Sequence, residues 1–286
     1  MLDLILLIIE ERTVYVEQLL WLLPLGFLVG AFGTMIGAGG GFILVPILLL
    51  IYPEKSPSTI TSISLAIVFF NALSGSFAYA KMKRIDYKSG LIFAMATIPG
   101  SILGALTTAY IPRHLFNGIF GLILVCLSLF LMLHPTNIKN LEKNIPLNHI
   151  VRTVTDAEGE TYTFSYNPVI GVVLSIIVGY VSSLLGIGGG IIHVPALVHL
   201  LNYPVHIATA TSHFILAVMS FTSTVVHVST GALSNSLIQT IGLSIGALFG
   251  AQLGAKISNR FNGVWVIRSL AVALGIVGIR ILMMSF

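Results

Sequence analysis

The string GAGGGFILVP, Gly37 to Pro46, returns 149 residues later as GIGGGIIHVP, Gly186 to Pro195. Each copy joins a long apolar run to a short one: Leu19 to Ile36 then Phe42 to Ile51 in the first, 168–185 then 191–201 in the second. A helix of about ten residues rises about 15 Å, half of a ~30 Å hydrocarbon core. Each pair therefore reads as one broken or re-entrant element inside a membrane. Composition supplies the membrane: 56% apolar residues, 8% charged residues and a mean hydropathy of +1.00 lie far outside the soluble range. Apolar runs of about twenty residues indicate helices, since barrel strands alternate over about ten. The expected fold class is all-α and polytopic: two homologous repeats, each with a glycine-broken or re-entrant first helix followed by three transmembrane helices.

Those three helices are predicted near 60–80, 90–110 and 115–134 in the first half and near 206–229, 236–256 and 264–285 in the second. Residues 1–17 carry Asp3, Glu10, Glu11 and Glu17 without a basic start or a small-residue cleavage site, and read as an interfacial helix rather than a signal peptide. The first repeat then spans 18–134, a polar and aqueous linker 135–167, and the second repeat 168–286. Val29, Gly30, Gly37, Gly39, Gly40, Gly41, Val45, Pro46 and Leu48 meet identical residues 149 positions on. With small drifts in register, TITS (Thr59 to Ser62) meets TATS (Thr209 to Ser212), and Gly100, Gly104 and Ala105 meet Gly246, Gly250 and Ala251.

The loop from Lys81 to Lys88 has four basic residues and its counterpart, Ser229 to Ser236, has none; in the next pair the bias reverses, Arg113 against Lys256, Arg260 and Arg268. Inversion of one repeat relative to the other predicts this reversal, and it places ten basic residues on one side and four on the other, against nine and five for parallel copies. We expect inverted repeats. The basic residues sit in short connections and act as topology signals, so the net charge of +4 does not imply nucleic acid.

Two interruptions at corresponding positions point to a transporter binding site, because broken backbone is tolerated in a bilayer only where protein buries it or it lines a wet cavity. Gly39, Gly40 and Gly41, with Gly188, Gly189 and Gly190, permit close approach, and the short helices that follow present unpaired N–H groups that favour an anion. The competing reading is glycine used for close helix packing. The spacing excludes a GxGxxG dinucleotide loop, which needs glycine at Phe42 and Ile191. Neutral donors come from Thr61 and Ser62 and from Thr211, Ser212 and His213, on segments that also carry Thr59, Ser64, Asn71 and Thr209. His193 and His227 have no histidine counterpart in the first half, and join His213 as candidates for a proton or selectivity role. All ten acidic residues fall in termini, loops or the linker, so no buried carboxylate is expected to hold a metal or relay protons. No metal, cofactor or catalytic residue is expected. Cys126 is the single cysteine, and no GxSxG elbow supports a hydrolase, so the chain is not read as an enzyme.

The paired G-x-G-G-G-x-x-x-V-P motifs, the TxTS strings and the two-repeat plan resemble the TauE/SafE family of sulfite exporters, from about Leu22 to Met284. The resemblance implies a multi-pass permease of the cell (inner) membrane for sulfite or an organosulfonate. The positions that match the motif are Gly37, Gly39, Gly40, Gly41 and Pro46, with Gly186, Gly188, Gly189, Gly190 and Pro195. The expected function is secondary transport of a small sulfur-containing anion by alternating access; the alternatives are an anion channel at the same midplane site and a permease for another small organic anion. The expected partners are the anionic substrate and the lipid bilayer, with proton coupling and an oligomer left open.

Overall fold

The computed structural model describes residues 20–133, 148–258 and 263–285; the expected interfacial helix at 1–17 lies outside them. The helices are α1 (Leu20–Ile36), α2 (Gly41–Ile51), α3 (Pro57–Lys81), α4 (Tyr87–Thr108), α5 (Arg113–Leu133), α6 (Pro168–Leu185), α7 (Gly190–His199), α8 (Val205–Ser229), α9 (Leu237–Ser258) and α10 (Gly263–Met283), and β1 (Ile150–Thr155) pairs with β2 (Thr161–Tyr166). Of these, α3, α4, α5, α6, α8 and α9 are long and apolar enough to cross a membrane, and the chain is an all-α, multi-pass membrane protein. Local chemistry sets the boundaries. Ser56 and Asn167 cap α3 and α6 with side-chain oxygens, each followed by proline at the first helical position. Pro46 and Pro195 are the sixth residues of their short helices, past the opening turn.

Small residues bring the long helices together. An ideal Cβ built on Gly100 would lie 2.2 Å from the carbonyl oxygen of Ile176, and one on Gly104 2.3 Å from that of Tyr180, so α4 and α6 run parallel in backbone contact. The same holds for α1 and α9, where Gly246, Gly250 and Gly254 sit against Leu23, Phe27 and Ala31. Without a hydrophobic drive between helices in lipid, such close approach supplies the dispersion contacts that hold them. The matched glycines of the two halves thus pack each half's broken helix on the second of the three helices that follow the other half's break.

At the centre α3 meets α8. Gly75 lies against His213, whereas the Ser62 hydroxyl reaches the Ala232 carbonyl just past α8, so these two helices are antiparallel. Their apolar windows are the most enclosed of the long helices, 78% and 72% buried. The bundle has two ends. Face 1 gathers Lys55, Arg113 and Ser236: the Arg113 guanidinium donates to the carbonyls of Leu49, Pro53 and Lys55, and Lys55 Nζ donates to Ser236 Oγ at 2.7 Å. Face 2 gathers the α3–α4 loop, the β1–β2 hairpin and the α7–α8 loop, tied by Ala157 N–H to the Met82 carbonyl and Asn202 Nδ2 to the Ser165 carbonyl. With α9 running from face 1, α1 and α2 start and finish there; α6 and α7 start and finish at face 2.

The stretch between the halves, read from sequence as an aqueous linker, folds over 150–166 into a hairpin that packs on face 2. Phe164 and Tyr166 are buried against Phe93 and Tyr203. Two carboxylates are buried as well, contrary to the expectation that none would be: Asp156 bonds Arg84 Nη2 at 3.1 Å, and Asp86 caps α4 and lies 3.8 Å from Arg152. They sit in loops, as the sequence places them, but arginine partners and backbone amides let the loops fold inward.

Gly250→Val puts a side chain on the Phe27 backbone, which cannot retreat, and is expected to cost at least about 1–3 kcal/mol, seen as a lower melting temperature in detergent. Gly118→Ala, whose new methyl would meet nothing nearer than 3.8 Å, should melt like the parent. The Asp156 carboxyl is held below the usual carboxylate range: burial opposes this, but Arg84 and the amides of Glu160 and Glu158 outweigh it. Its folded pKa is the lower one, so its contribution is full above the unfolded value and fades as pH falls through the folded value. Asp156→Asn should lower stability at pH 7 and narrow its difference from the parent in melts taken towards pH 3.

Candidate functional site

Both glycine strings form the same turn. Gly37, Gly39 and Gly40 have φ of 82°, 76° and 78°, and Gly186, Gly188 and Gly189 have 72°, 81° and 77°, a region that glycine enters without the strain of a Cβ. Gly40 and Gly189 are the residues before α2 and α7. Among the described residues the amides of Gly40, Gly41 and Phe42, and of Gly189 and Ile191, donate no backbone hydrogen bond at these helix starts. Gly41 and Gly190 are helical, and the space their side chains would fill is taken by the other break: a Cβ on Gly41 would lie 2.8 Å from the Gly186 and Ile187 carbonyl oxygens, one on Gly190 2.2 Å from the Gly37 carbonyl oxygen. The close approach these glycines permit is thus between the two breaks themselves. Val68 and Leu216 close the next layer, against Gly39 and Gly188.

The TxTS strings lie across from the opposite half's break. Thr61 abuts Gly186, Thr209 abuts Gly37, Ser64 Oγ donates to the Gly186 carbonyl at 2.6 Å, and Ser212 Oγ to the Gly37 carbonyl at 3.4 Å. The Thr61 and Ser62 hydroxyls donate to their own helix, to the Ser58 and Thr59 carbonyls, the usual resting bond of such residues in helices. Thr211 turns towards face 2, where its Oγ1 accepts the Asp86 amide at 3.0 Å. There Asp86 also accepts from Ser89 Oγ and Tyr203 OH, and Tyr166 OH donates to Ser89 Oγ. Burial and the Asp86 carboxylate push the Tyr203 hydroxyl up, keeping it a donor.

The three histidines occupy different places. His213 is fully buried beside the first break, with Nε2 3.2 Å from Thr34 Oγ1. Thr34 gives its own proton to Asn71 Oδ1, and Asn71 Nδ2 donates to the Gly30 carbonyl. Thr34 Oγ1 therefore accepts, which assigns the proton to His213 Nε2 and leaves Nδ1 a bare, buried acceptor. His193 stands in the first turn of α7 with Nε2 3.3 Å from Ser175 Oγ. His227 is buried about four turns along α8 from His213, roughly 21 Å at the helical rise, so it does not join the breaks.

Sequence reading missed three contributors. Thr34 and Tyr79 complete the His213 chain, the latter donating to the Thr34 carbonyl at 2.7 Å. Ser182 is buried without a partner for its hydroxyl, 3.2 Å from where a Gly189 Cβ would stand. Ser182 was visible as a departure from symmetry: its counterpart 149 positions earlier is Gly33, which packs directly on Gly40. No His, Cys, Asp or Glu cluster suited to a metal occurs among the described residues.

The sequence matches the family described as sulfite exporter TauE/SafE over residues 22–281. Its relatives include the probable membrane transporter protein YunE of Bacillus subtilis, 34% identical over 91% of this chain and 96% of that protein. The probable membrane transporter protein MJ0441 of Methanocaldococcus jannaschii is 26% identical over 93% and 97%, and the probable membrane transporter protein YdhB of Bacillus subtilis is 24% identical over 90% and 97%. No solved structure matches. A family match spanning both halves and relatives described as membrane transporters identify a membrane transporter, not an enzyme: the chain belongs to the TauE/SafE family.

Proposed function

We propose that the protein is a secondary transporter that moves a small sulfur-containing anion, sulfite or an organosulfonate, by alternating access at the paired glycine breaks. The observation that carries this reading is the pairing itself: two helix starts with unpaired amides, brought backbone to backbone and ringed by neutral hydroxyls. Amide donors and the positive ends of α2 and α7 favour a compact oxyanion. Thr61, Ser62, Thr211, Ser212 and Ser182 are the side chains that rotate to meet it, together with the backbone of Gly39, Gly40, Gly41, Gly188, Gly189 and Gly190. The name of the matching family favours sulfite among such anions.

The halves act in this reading as inverted copies. The antiparallel course of α3 and α8, and broken pairs that return to opposite faces, support it. Face 2, with Lys81, Lys83, Arg84, Lys88, Arg152 and Lys256, is the cytoplasmic side, and face 1, with Lys55 and Arg113, the opposite one. Because the breaks touch, an anion reaches both only when the halves shift, which favours a carrier over a channel at the same site.

His213 is the proton site in this scheme. A proton arriving at Nδ1 makes an imidazolium whose Nε2 still donates to Thr34, linking charge at the histidine to the first break. His193, next to the second break, tunes selectivity there.

Sulfite or sulfoacetate should raise the melting temperature of the purified protein by a few °C at saturating concentration, by mass action on the folded state. Ser182→Ala removes a buried, unpartnered hydroxyl beside the second break; it should remain folded and diminish that rise, and an undiminished rise removes Ser182 from the site. The pH dependence of anion flux into proteoliposomes should flatten in His213→Gln, and an unchanged profile excludes that histidine from coupling.

A further inference from the structure

At face 1 a recess of about 410 Å³ opens between the start of α3, the α4–α5 turn and the end of α8. Its walls carry Ser58, Thr59, Thr108, Thr230 and Arg113, and none of the described residues that line it is a carboxylate. It leads towards the second glycine break. Thr108 Oγ1 donates to the Leu184 carbonyl at 2.9 Å, two residues before Gly186, and the carbonyls of Ser58 and Thr59 receive the hydroxyls of Thr61 and Ser62 on the inner side. Thr61 is the residue that touches Gly186. One helical turn therefore separates the recess from the break.

At the place related to it by the repeat at face 2, the described residues around Thr209 and Ala210, namely Ala78, Tyr79, Ile85 and Ala255, pack as an apolar cluster, and the hairpin covers Met82. One end of the bundle is thus hydroxyl-lined to within a turn of a break, whereas the described residues at the related place on the other are apolar and the hairpin is latched over them.

We infer that the face 1 recess is the access site at which the transported anion first binds, held by the threonine hydroxyls and the charge of Arg113 before it passes Thr61 to the second break. This rests on the anion-transporter reading above and adds where the anion waits and from which face this conformation takes it. The Arg113 guanidinium is anchored by three carbonyls, so its charge is fixed at the rim, where a charged, partly enclosed wall attracts counter-ions.

The test uses the full-length protein in proteoliposomes with Cys126→Ser and one new cysteine, Thr59→Cys or Thr230→Cys, on opposite walls. Each is treated from one face with the anionic 2-sulfonatoethyl methanethiosulfonate or the cationic trimethylammonioethyl reagent, and the ratio of rates is compared with that of 2-mercaptoethanol in solution. The expected result is an anionic preference raised by about fivefold or more, reagent access from one face only, and slowing of both cysteines by sulfoacetate. An unraised ratio, access from both faces, or no slowing while sulfoacetate still stabilises the parent overturns the access site and leaves the transporter reading standing. If sulfoacetate neither stabilises the parent nor slows labelling but the anionic preference holds, the recess stands as an anion site and the sulfonate reading falls. Should one cysteine variant fail to fold, the other carries the same comparison.

Discussion

The structure depends on one constraint: peptide groups freed by a break in a membrane helix must be kept from lipid. The protein meets it by setting two breaks against each other, Gly41 on the carbonyls of Gly186 and Ile187 and Gly190 on the carbonyl of Gly37. Much else follows from that contact. The loops can meet only if α3 and α8, which flank them, cross at the centre, and Ser64 and Ser212 then reach the freed carbonyls of the opposite break. Glycine at 37, 39, 40 and their repeats is demanded both by positive φ and by the lack of space.

Around this centre the halves are interleaved rather than placed side by side. The broken helix α1 lies on α9 and the broken helix α6 on α4, each through glycines that place backbone on backbone. Each break is thus supported by a helix from the other half. The two ends differ: face 1 holds an open, hydroxyl-lined recess, while at face 2 Arg84, Asp156, Asp86, Arg152 and the tyrosine pair Tyr166 and Tyr203 bind the hairpin down on the α3–α4 loop. Removing any one of these charges leaves another buried without its partner, so the latch holds as a set.

Helix boundaries were legible because each long run is uniformly apolar and ends at a cap or turn residue; the predicted segment 60–80 is α3 at Pro57–Lys81, and 168–185 is α6 unchanged. The glycine sites were legible from the repeat. Two things were not. Short polar stretches such as 150–166 look the same whether solvated or docked, since burial of Asp156 depends on Arg84, 72 residues away. Nor does a serine among apolar residues, such as Ser182, announce a free hydroxyl; whether it bonds its own helix, as Ser175 does to Gly171, is a matter of rotamer and neighbours.

The sequence by itself determined that the chain is a helical membrane protein in which one glycine-rich string interrupts two apolar runs, because composition, run length and recurrence are read from the order of residues alone. Only the tertiary structure decided that the two breaks press on each other, that His213 carries its proton on Nε2 because Thr34 is already committed to Asn71, and that one face is open while the other is latched. Those outcomes depend on contacts between residues from 37 to 179 positions apart, whose geometry follows from packing and not from spacing along the chain.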